Sequence, residues 1–243
     1  MDEKLEQFKS WLEESQRIVF FGGAGVSTES GIPDFRSVDG LYNQKYKFPP
    51  ETILSRTFYV NNLSDFYEFY REKMLCLDAK PNSAHYALAK LEEMGKLTAV
   101  VTQNIDGLHY AAGSKTVYEL HGSVHRNYCL RCGKQHDAAY IKGITDGPPP
   151  CSDCGGLVKP DVVLYEEGLN QQTVNGAIEA IENADMLIIG GTSLTVQPAC
   201  SLINYYSGDK LVLINKTPTP QDDKANLLIQ DSIGKAFSVV DML

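Results

Sequence analysis

The chain has 243 residues, of which 43% are hydrophobic, and its formal net charge is −9 at pH 7. This size and composition are ordinary for one large globular domain, with or without a small inserted domain. The acidic charge argues against direct nucleic-acid binding, which needs clustered lysine and arginine. The first residues lack the apolar segment of a secretory signal and no apolar run reaches about 18 residues, so we expect a cytoplasmic protein without a membrane-spanning helix.

Amphipathic segments and short apolar runs alternate along the chain. Helical spacing of apolar residues predicts helices at residues 3–15, 84–94 and 174–183. Apolar runs predict buried strands at residues 17–21, 98–102, 186–189 and 211–214. Strands that alternate with helices indicate an α/β fold with a parallel sheet and right-handed crossovers.

Two regions interrupt this alternation. Residues 36–78 are rich in aromatic side chains and partly helical in pattern, and residues 122–158 contain four cysteines and a run of three prolines. We expect both to be insertions that together form a smaller second domain.

The four cysteines form two Cys-x-x-Cys pairs separated by 18 residues, at Cys129, Cys132, Cys151 and Cys154. Each pair can turn two thiolates toward one ion, and four thiolates complete a tetrahedral zinc site without an open position. Such a site is structural rather than catalytic. The alternative, four free or disulfide-bonded cysteines, is disfavoured by this spacing. The flanking residues form no basic stripe, so we expect the module to brace the small domain.

The predicted strand at residues 17–21 leads into the glycine turn Gly23-Ala24-Gly25. Glycines there let a backbone approach a pyrophosphate, with free N–H groups at a helix N-terminus. A lone G-x-G is a weak signal, and a plain strand-to-helix turn is the alternative. The acidic residue that a dehydrogenase carries about 20 positions further on is missing, which disfavours hydride-transfer chemistry.

Three further polar strings lie near predicted strand ends. Gln103, Asn104 and Asp106 directly follow a strand, where α/β proteins bind ligands, although a capped polar turn is the alternative. His121 is suited to general-base catalysis, although a lone histidine is more often structural. Residues 31–36 (GIPDFR) suit a mobile flap over a planar charged ligand, and an ordinary loop is the alternative.

These strings occur together as GAGVSTESGIPDFRS, TQNIDGLH, ELHGS and the paired Cys-x-x-Cys. In this order they resemble the sirtuin (Sir2-type) family of NAD-dependent protein deacylases, and the bacterial members most. The resemblance implies a Rossmann-like parallel sheet with helices on both faces, plus a small domain with a zinc ribbon and a helical part. It places the NAD-binding domain at residues 1–35, 79–121 and 159–243, and the small domain at residues 36–78 and 122–158.

The resemblance also implies roles for individual residues. The catalytic positions are matched by His121, as the base, and by Asn104, beside the reacting ribose. The NAD-binding positions are matched by Ala24, Thr28, Phe35, Arg36, Gln103, Ile105, Asp106, His121, Gly191, Thr192, Ser193, Asn215 and Ile233. The substrate-binding strand is matched by Val162, Val163 and Tyr165, and the zinc ligands by the four cysteines.

The implied activity is NAD-dependent deacetylation of protein lysines, with acylated lysines as partners and NAD and structural zinc as cofactors. The acyl oxygen attacks the nicotinamide ribose, nicotinamide leaves, and His121 then deprotonates a ribose hydroxyl. The products are nicotinamide, 2'-O-acetyl-ADP-ribose and deacetylated lysine. Because NAD is consumed, the ribose-binding acid of dehydrogenases is not required. The alternatives are removal of succinyl or longer acyl groups, mono-ADP-ribosylation, and a zinc-ribbon binding module without catalysis.

Two short motifs differ from the usual family pattern. The substrate-strand motif usually ends Phe-Gly-Glu, whereas this chain has Tyr165, Glu166 and Glu167, and the extra carboxylate favours peptides with basic flanks. Tyr70 and Lys73 occupy the spacing Tyr-x-x-Arg of members that accept acidic acyl groups. Lysine lacks the bidentate fork of arginine, so we prefer the alternative, a solvated helix face.

Overall fold

The computed structural model of the protein describes residues 2–36, 40–43 and 46–243. The α-helices of this part of the chain are α1 (Glu3–Glu14), α2 (Pro50–Ile53), α3 (Arg56–Asn61), α4 (Leu63–Phe69), α5 (Ser83–Glu93), α6 (Leu108–Ala112), α7 (Ala138–Gly143), α8 (Gln171–Glu182) and α9 (Ile233–Phe237). The strands are β1 (Ile18–Gly22), β2 (Leu97–Thr102), β3 (Val117–Glu119), β4 (Gly122–Cys129), β5 (Gln135–His136), β6 (Val158–Val162), β7 (Met186–Gly190), β8 (Leu211–Ile214) and β9 (Leu227–Ile229).

Six strands form a parallel sheet in the order β3-β2-β1-β7-β8-β9. The predicted α/β fold is thereby confirmed. From β1, the strands follow in chain order toward one edge of the sheet as β2 and β3, and toward the other edge as β7, β8 and β9. Ligands of open α/β sheets bind at such a switch point in strand order. The carboxyl ends of β1, β2 and β7 are level, because Gly22 pairs with both Thr102 and Gly190. The segments that follow them therefore start at one edge of the sheet.

The two faces of this sheet are covered by separate apolar clusters. Along β1, Ile18 and Phe20 pack into one cluster, and Val19 and Phe21 pack into the other, as the twofold alternation of a strand requires. Side chains of α1, α5 and α9 complete the first cluster, and side chains of α8 complete the second. Each fully buried large apolar side chain stabilises the fold by roughly 1.5–3 kcal/mol.

A second region consists of the antiparallel sheet β5-β4-β6 and of helices α2, α3, α4 and α7. Its core includes the buried aromatic rings of Phe66, Tyr67 and Tyr70. The hydroxyl of Tyr67 donates to the carbonyl of Val158 at 2.6 Å, which ties the helices to β6. Both predicted insertions contribute to this core, while the exact limits of the two predicted domains remain a prediction.

Some local structure differs from the expectation. Strands β3 and β9 have three residues each, too short to give a periodic signal, and were not predicted as strands. The glycine turn after β1 leads into 3₁₀-helices at Ala24–Val26 and Thr28–Ser30 rather than into an α-helix. Within the described ranges, the helices are too short and too polar to span a bilayer.

Candidate active site

A cavity of about 490 Å³ opens at the carboxyl edge of the parallel sheet. It is bounded by the turns that follow β1, β2, β7 and β8 and by the segment after β6. The residues predicted for catalysis, NAD and substrate all line it: Ala24, Thr28, Phe35, Arg36, Gln103, Asn104, Ile105, Asp106, His121, Val162, Val163, Tyr165, Gly191, Thr192, Ser193, Asn215 and Ile233. The structure thus brings positions from seven separate parts of the chain to one space, while their roles remain predictions.

Two glycine turns form the floor of the cavity. The N–H of Gly25 donates to the carbonyl of Gly191 at 2.8 Å, and a β-carbon on Gly25 would lie 2.8 Å from the Gly191 α-carbon. The backbones of the turns after β1 and β7 can therefore pack against each other only because Gly25 and Gly191 have no side chain. The N–H of Gly23 likewise donates to Gly190 at 3.3 Å, so these two amides are already used within the protein.

Asn104, Ser27 and Asp106 form a hydrogen-bonded chain beside this floor. The side-chain amide of Asn104 donates to the hydroxyl of Ser27 at 3.1 Å, and this hydroxyl donates to a carboxylate oxygen of Asp106 at 2.6 Å. The other carboxylate oxygen of Asp106 accepts the N–H of Leu108 at 2.9 Å. The chain holds an amide and a carboxylate in fixed positions. Ser27 is fully buried and was not predicted as a site residue.

His121 faces the cavity with a defined tautomer. Its Nδ1 lies 2.9 Å from the carbonyl oxygen of Gln103. A carbonyl only accepts, so Nδ1 carries the proton and Nε2 is the basic nitrogen. Burial lowers the pKa of His121, and the contact with Gln103 opposes that effect. The imidazole is therefore neutral at neutral pH and can accept a proton through Nε2.

The backbone around His121 is packed against the strand that precedes the predicted substrate segment. The N–H of Val163 donates to the carbonyl of His121 at 3.0 Å. Gly122 has φ +76°, and a β-carbon there would lie 1.9 Å from the carbonyl oxygen of Asp161. Only glycine permits this approach, and the approach places Val163 directly beside His121.

A second polar chain crosses the opposite side of the cavity. The side-chain amide of Gln103 donates to the hydroxyl of Thr192 at 3.0 Å, and the amide of Asn215 donates to the carbonyl of Thr192 at 3.2 Å. The turns after β2, β7 and β8 are thereby joined, with Ser193 and Ile233 on the same wall. Hydroxyls and amides spaced along a wall in this way can bind ribose and base edges.

The four cysteines come together in the small region as predicted. Their sulfur atoms all lie within 4.8 Å of one another, with Cys129 to Cys154 at 3.5 Å and Cys132 to Cys151 at 3.7 Å. Tetrahedral zinc with bonds of about 2.3 Å requires sulfur separations of about 3.8 Å, so the set fits this ion. The N–H of Cys132 helps to lower the pKa of Cys129 to about 6, and the N–H of Asp153 helps to lower the pKa of Cys151 to about 7, whereas the neighbouring sulfurs raise the pKa of Cys132. Cys129 and Cys151 are thus the thiols that most readily give the thiolate that a metal needs.

Tyr70 and Lys73 lie on the π-helical turn Tyr70–Met74 but in different surroundings. Lys73 lines the cavity, and its ammonium group is 2.8 Å from the carboxylate of Glu72. Tyr70 is fully buried, stacks on Phe66 with ring centroids 5.7 Å apart, and its hydroxyl has no hydrogen-bond partner among the described residues. The expected solvated helix face is wrong for Tyr70, because its ring packs into the core of the small region. The two groups also do not form one polar subsite in this arrangement.

The family model of the Sir2 family matches residues 23–198. The chain belongs to the Sir2 family. A protein of Clostridium acetobutylicum named NAD-dependent protein deacetylase is 60% identical, over 98% of each chain. Two solved Sir2 structures share the fold across 98% of this chain. One, with a deacetylated p53 peptide and 3'-O-acetyl ADP ribose, has a TM-score of 0.90, 40% identity and 97% of its own chain covered. The other, with a p53 peptide and NAD+, has a TM-score of 0.86, 41% identity and 98% of its own chain covered.

Within this Sir2-family chain, two contacts at the cavity were missed at the level of sequence. Ser27 lies within the motif GAGVSTESGIPDFRS but was given no role, and His125, whose Nε2 donates to the carbonyl of Asp106 at 2.9 Å, was not singled out. Both act through Asp106. These contacts join residues that are far apart in sequence, and a single sequence carries no signal for such a pairing.

Proposed function

We propose that the chain is an NAD-dependent protein-lysine deacetylase that converts acetyl-lysine, NAD and water to lysine, nicotinamide and 2'-O-acetyl-ADP-ribose. The observation that carries the proposal is the orientation of His121, whose basic Nε2 faces a cavity that also holds the Asn104–Ser27–Asp106 chain. The names of the Sir2-family relatives support the same activity.

NAD fits the residues that line the cavity. We assign the pyrophosphate to the turn at Ala24 and Thr28 with Arg36, and the adenosine half to Thr192, Ser193, Asn215 and Ile233. We assign the nicotinamide half to Phe35, Gln103, Ile105 and Asp106, with Gly191 in the floor. When bound, NAD supplies the ribose carbon that takes the acyl oxygen as nicotinamide leaves.

The protein groups then perform the proton transfer and the orientation. His121 accepts a ribose hydroxyl proton on Nε2, because Nδ1 is committed to Gln103. Asn104 lies beside the reacting ribose, and Asp106 holds the carboxamide. Their positions are fixed by Ser27, so little reorganisation is needed when charge develops.

The acyl-lysine peptide is assigned to the segment Val162, Val163 and Tyr165. This backbone continues from β6, and an extended peptide can pair with such an edge. Val163 is adjacent to His121 through its N–H, so a lysine inserted beside Val163 would bring its acyl group to the base.

Zinc is assigned to Cys129, Cys132, Cys151 and Cys154, where it would hold the small region without taking part in the reaction. We also propose two domains with the limits that the family resemblance implies. The NAD-binding domain comprises residues 1–35, 79–121 and 159–243, and the small domain comprises residues 36–78 and 122–158. We also propose a cytoplasmic location.

The test is incubation of the protein with NAD and an acetyl-lysine peptide, followed by mass spectrometry. Loss of the acetyl mass from the peptide together with nicotinamide release supports the proposal, and His121→Ala should abolish that loss. Transfer of ADP-ribose to protein without deacetylation would favour the mono-ADP-ribosyltransferase. An inactive wild-type protein, indistinguishable from His121→Ala, would contradict both.

A further inference from the structure

Tyr165, which lines the cavity, makes a hydroxyl contact with Tyr42, which packs against the cavity residues Phe35 and Arg36. The hydroxyl oxygens of Tyr42 and Tyr165, here called the tyrosine pair, lie 2.8 Å apart although the residues are 123 positions apart in sequence. Tyr165 stands where the family motif has phenylalanine. A phenylalanine at this position would leave the ring in place and remove one of the two hydroxyls.

On one side, Tyr42 supports the segment that carries the predicted NAD contacts Phe35 and Arg36. The N–H of Tyr42 donates to the carbonyl of Phe35 at 2.9 Å, and the two rings pack edge to face with centroids 5.5 Å apart. The guanidinium of Arg36 lies 5.3 Å from the centre of the Tyr42 ring, within cation–π range. Tyr42 thus contacts both residues, and a change in its position would be felt by both.

On the other side, the backbone of Tyr165 is fixed. Its N–H donates to the carbonyl of Leu54 at 2.9 Å, and its carbonyl accepts the N–H of Arg56 at 3.0 Å. The next residue, Glu166, accepts both the N–H and the hydroxyl of Thr57. Tyr165 is therefore anchored to the start of α3, and its hydroxyl offers Tyr42 a fixed partner.

The hydroxyl of Tyr42 keeps its proton at physiological pH. Burial raises the pKa of Tyr42, and the hydrogen bond with Tyr165 raises it further. The Tyr42 hydroxyl therefore keeps its proton for the contact with Tyr165, in which either hydroxyl can donate to the other.

We propose that Tyr165 is a positioning residue that couples acyl-peptide binding to NAD binding through the tyrosine pair. The inference rests on the proposed function. An acyl-peptide that binds along Val163 and Tyr165 favours the arrangement in which the two hydroxyls meet. A dinucleotide that binds against Phe35 and Arg36 favours the same arrangement. Each ligand therefore tightens binding of the other, and by linkage the factor is the same in both directions.

The experiment measures this coupling factor directly. The dissociation constant of a non-cleavable NAD analogue is determined by calorimetry with and without a saturating acetyl-lysine peptide, and the ratio of the two is the coupling factor. Tyr165→Phe should lower the factor by about threefold to tenfold, the range expected for one neutral hydrogen bond. Tyr42→Phe should lower it equally, and the double variant should lower it no further.

Tyr110→Phe is a matched control, because its partly exposed hydroxyl donates to the Val117 carbonyl at 3.1 Å outside the cavity. It should keep the wild-type factor. A factor that Tyr165→Phe leaves unchanged, or effects of the two single variants that simply add, would overturn the coupling while leaving deacetylation intact. Absence of analogue or peptide binding to the wild type would overturn the proposed function and the coupling together.

Discussion

The Nδ1 atom of His121 lies 2.9 Å from the carbonyl oxygen of Gln103, the first residue after β2. This one contact sets the tautomer of the imidazole and so leaves Nε2 as its basic nitrogen. The histidine comes after β3 and the carbonyl after β2, two neighbouring parallel strands. The base is consequently positioned by the register of the sheet rather than by its own loop.

Deacetylation should require the neutral form of His121. Burial lowers its pKa below the usual value of about 6.5, so kcat/KM should be flat above neutral pH and fall as the pH drops through the lowered pKa. His121→Ala should reduce kcat/KM by about 10²–10⁴-fold, the usual contribution of a general base. A pH–rate profile of both proteins checks this, and a wild-type rate that rises below pH 6 would contradict the assignment.

The zinc site should be a stability element. Cys151→Ser should lose bound zinc and lower the free energy of unfolding by about 4 kcal/mol or more, the range typical of a lost structural metal. For a chain of this size that corresponds to a melting temperature lower by roughly 8–16 °C. Metal analysis and thermal melts provide the measurement. Cys76→Ser, at a lone cysteine, should retain the zinc, and full zinc content in Cys151→Ser would refute the prediction.

The parts predicted from sequence are those in which local pattern and burial agree. The apolar run that forms β1 is buried on both faces, so its composition alone predicted a buried strand. Ser27 shows the limit. Its hydroxyl gains meaning only because Asp106, 79 positions away, follows the neighbouring strand. The separate surroundings of Tyr70 and Lys73 also depend on packing, since helical spacing alone suggested that they share a face.

Two buried histidines should make the fold sensitive to acid. His85 and His109 lie with ring centroids 4.8 Å apart, and burial lowers both pKa values, that of His109 to about 3. Below about pH 6.5 the unfolded chain binds protons at these two histidines, whereas the folded chain does not. Their contribution to the free energy of unfolding is therefore fully present above pH 6.5 and is lost as the pH falls.

For His109 alone, the free energy of unfolding should fall by roughly 2 kcal/mol between pH 6.5 and 4.5. His109→Phe should remove that share, because the nitrogens of His109 have no hydrogen-bond partner among the described residues and Phe20 packs nearby. Urea unfolding at the two pH values compares the proteins. Equal losses in wild type and variant would show that His109 is protonated in the fold.

Glu166 combines a left-handed backbone with a fixed side chain. Its φ is +74°, a region that suits the glycine of the family motif, and its carboxylate accepts the N–H and hydroxyl of Thr57 at 2.9 and 2.6 Å. Glu166→Ala keeps the backbone strain and loses these bonds, so it should melt below wild type. Glu166→Gly relieves the strain and should melt above Glu166→Ala.

The same variants test substrate preference. Because Thr57 already occupies the carboxylate, the ratio of kcat/KM for peptides with arginine or glutamine beside the acetyl-lysine should be the same in Glu166→Ala and wild type. A clear drop in that ratio would support the preference for basic flanks that the extra carboxylate suggested from sequence.

Acyl preference should favour acetyl-lysine over succinyl-lysine by at least about tenfold in kcat/KM. A succinyl carboxylate in the cavity would need a charged partner to offset its desolvation. Tyr70 is buried and its hydroxyl has no hydrogen-bond partner in the part of the chain that the structure describes, and the Lys73 ammonium is already paired with Glu72 at 2.8 Å. Matched acetyl and succinyl peptides of one sequence, compared in the same mass-spectrometric assay, give the ratio.

Glu72→Gln is the informative variant, because it removes the carboxylate that is paired with Lys73. If succinyl-lysine reacts as fast as acetyl-lysine in the wild type, the two residues must rearrange on binding, and the arrangement of Tyr70 and Lys73 in the free protein does not determine acyl preference.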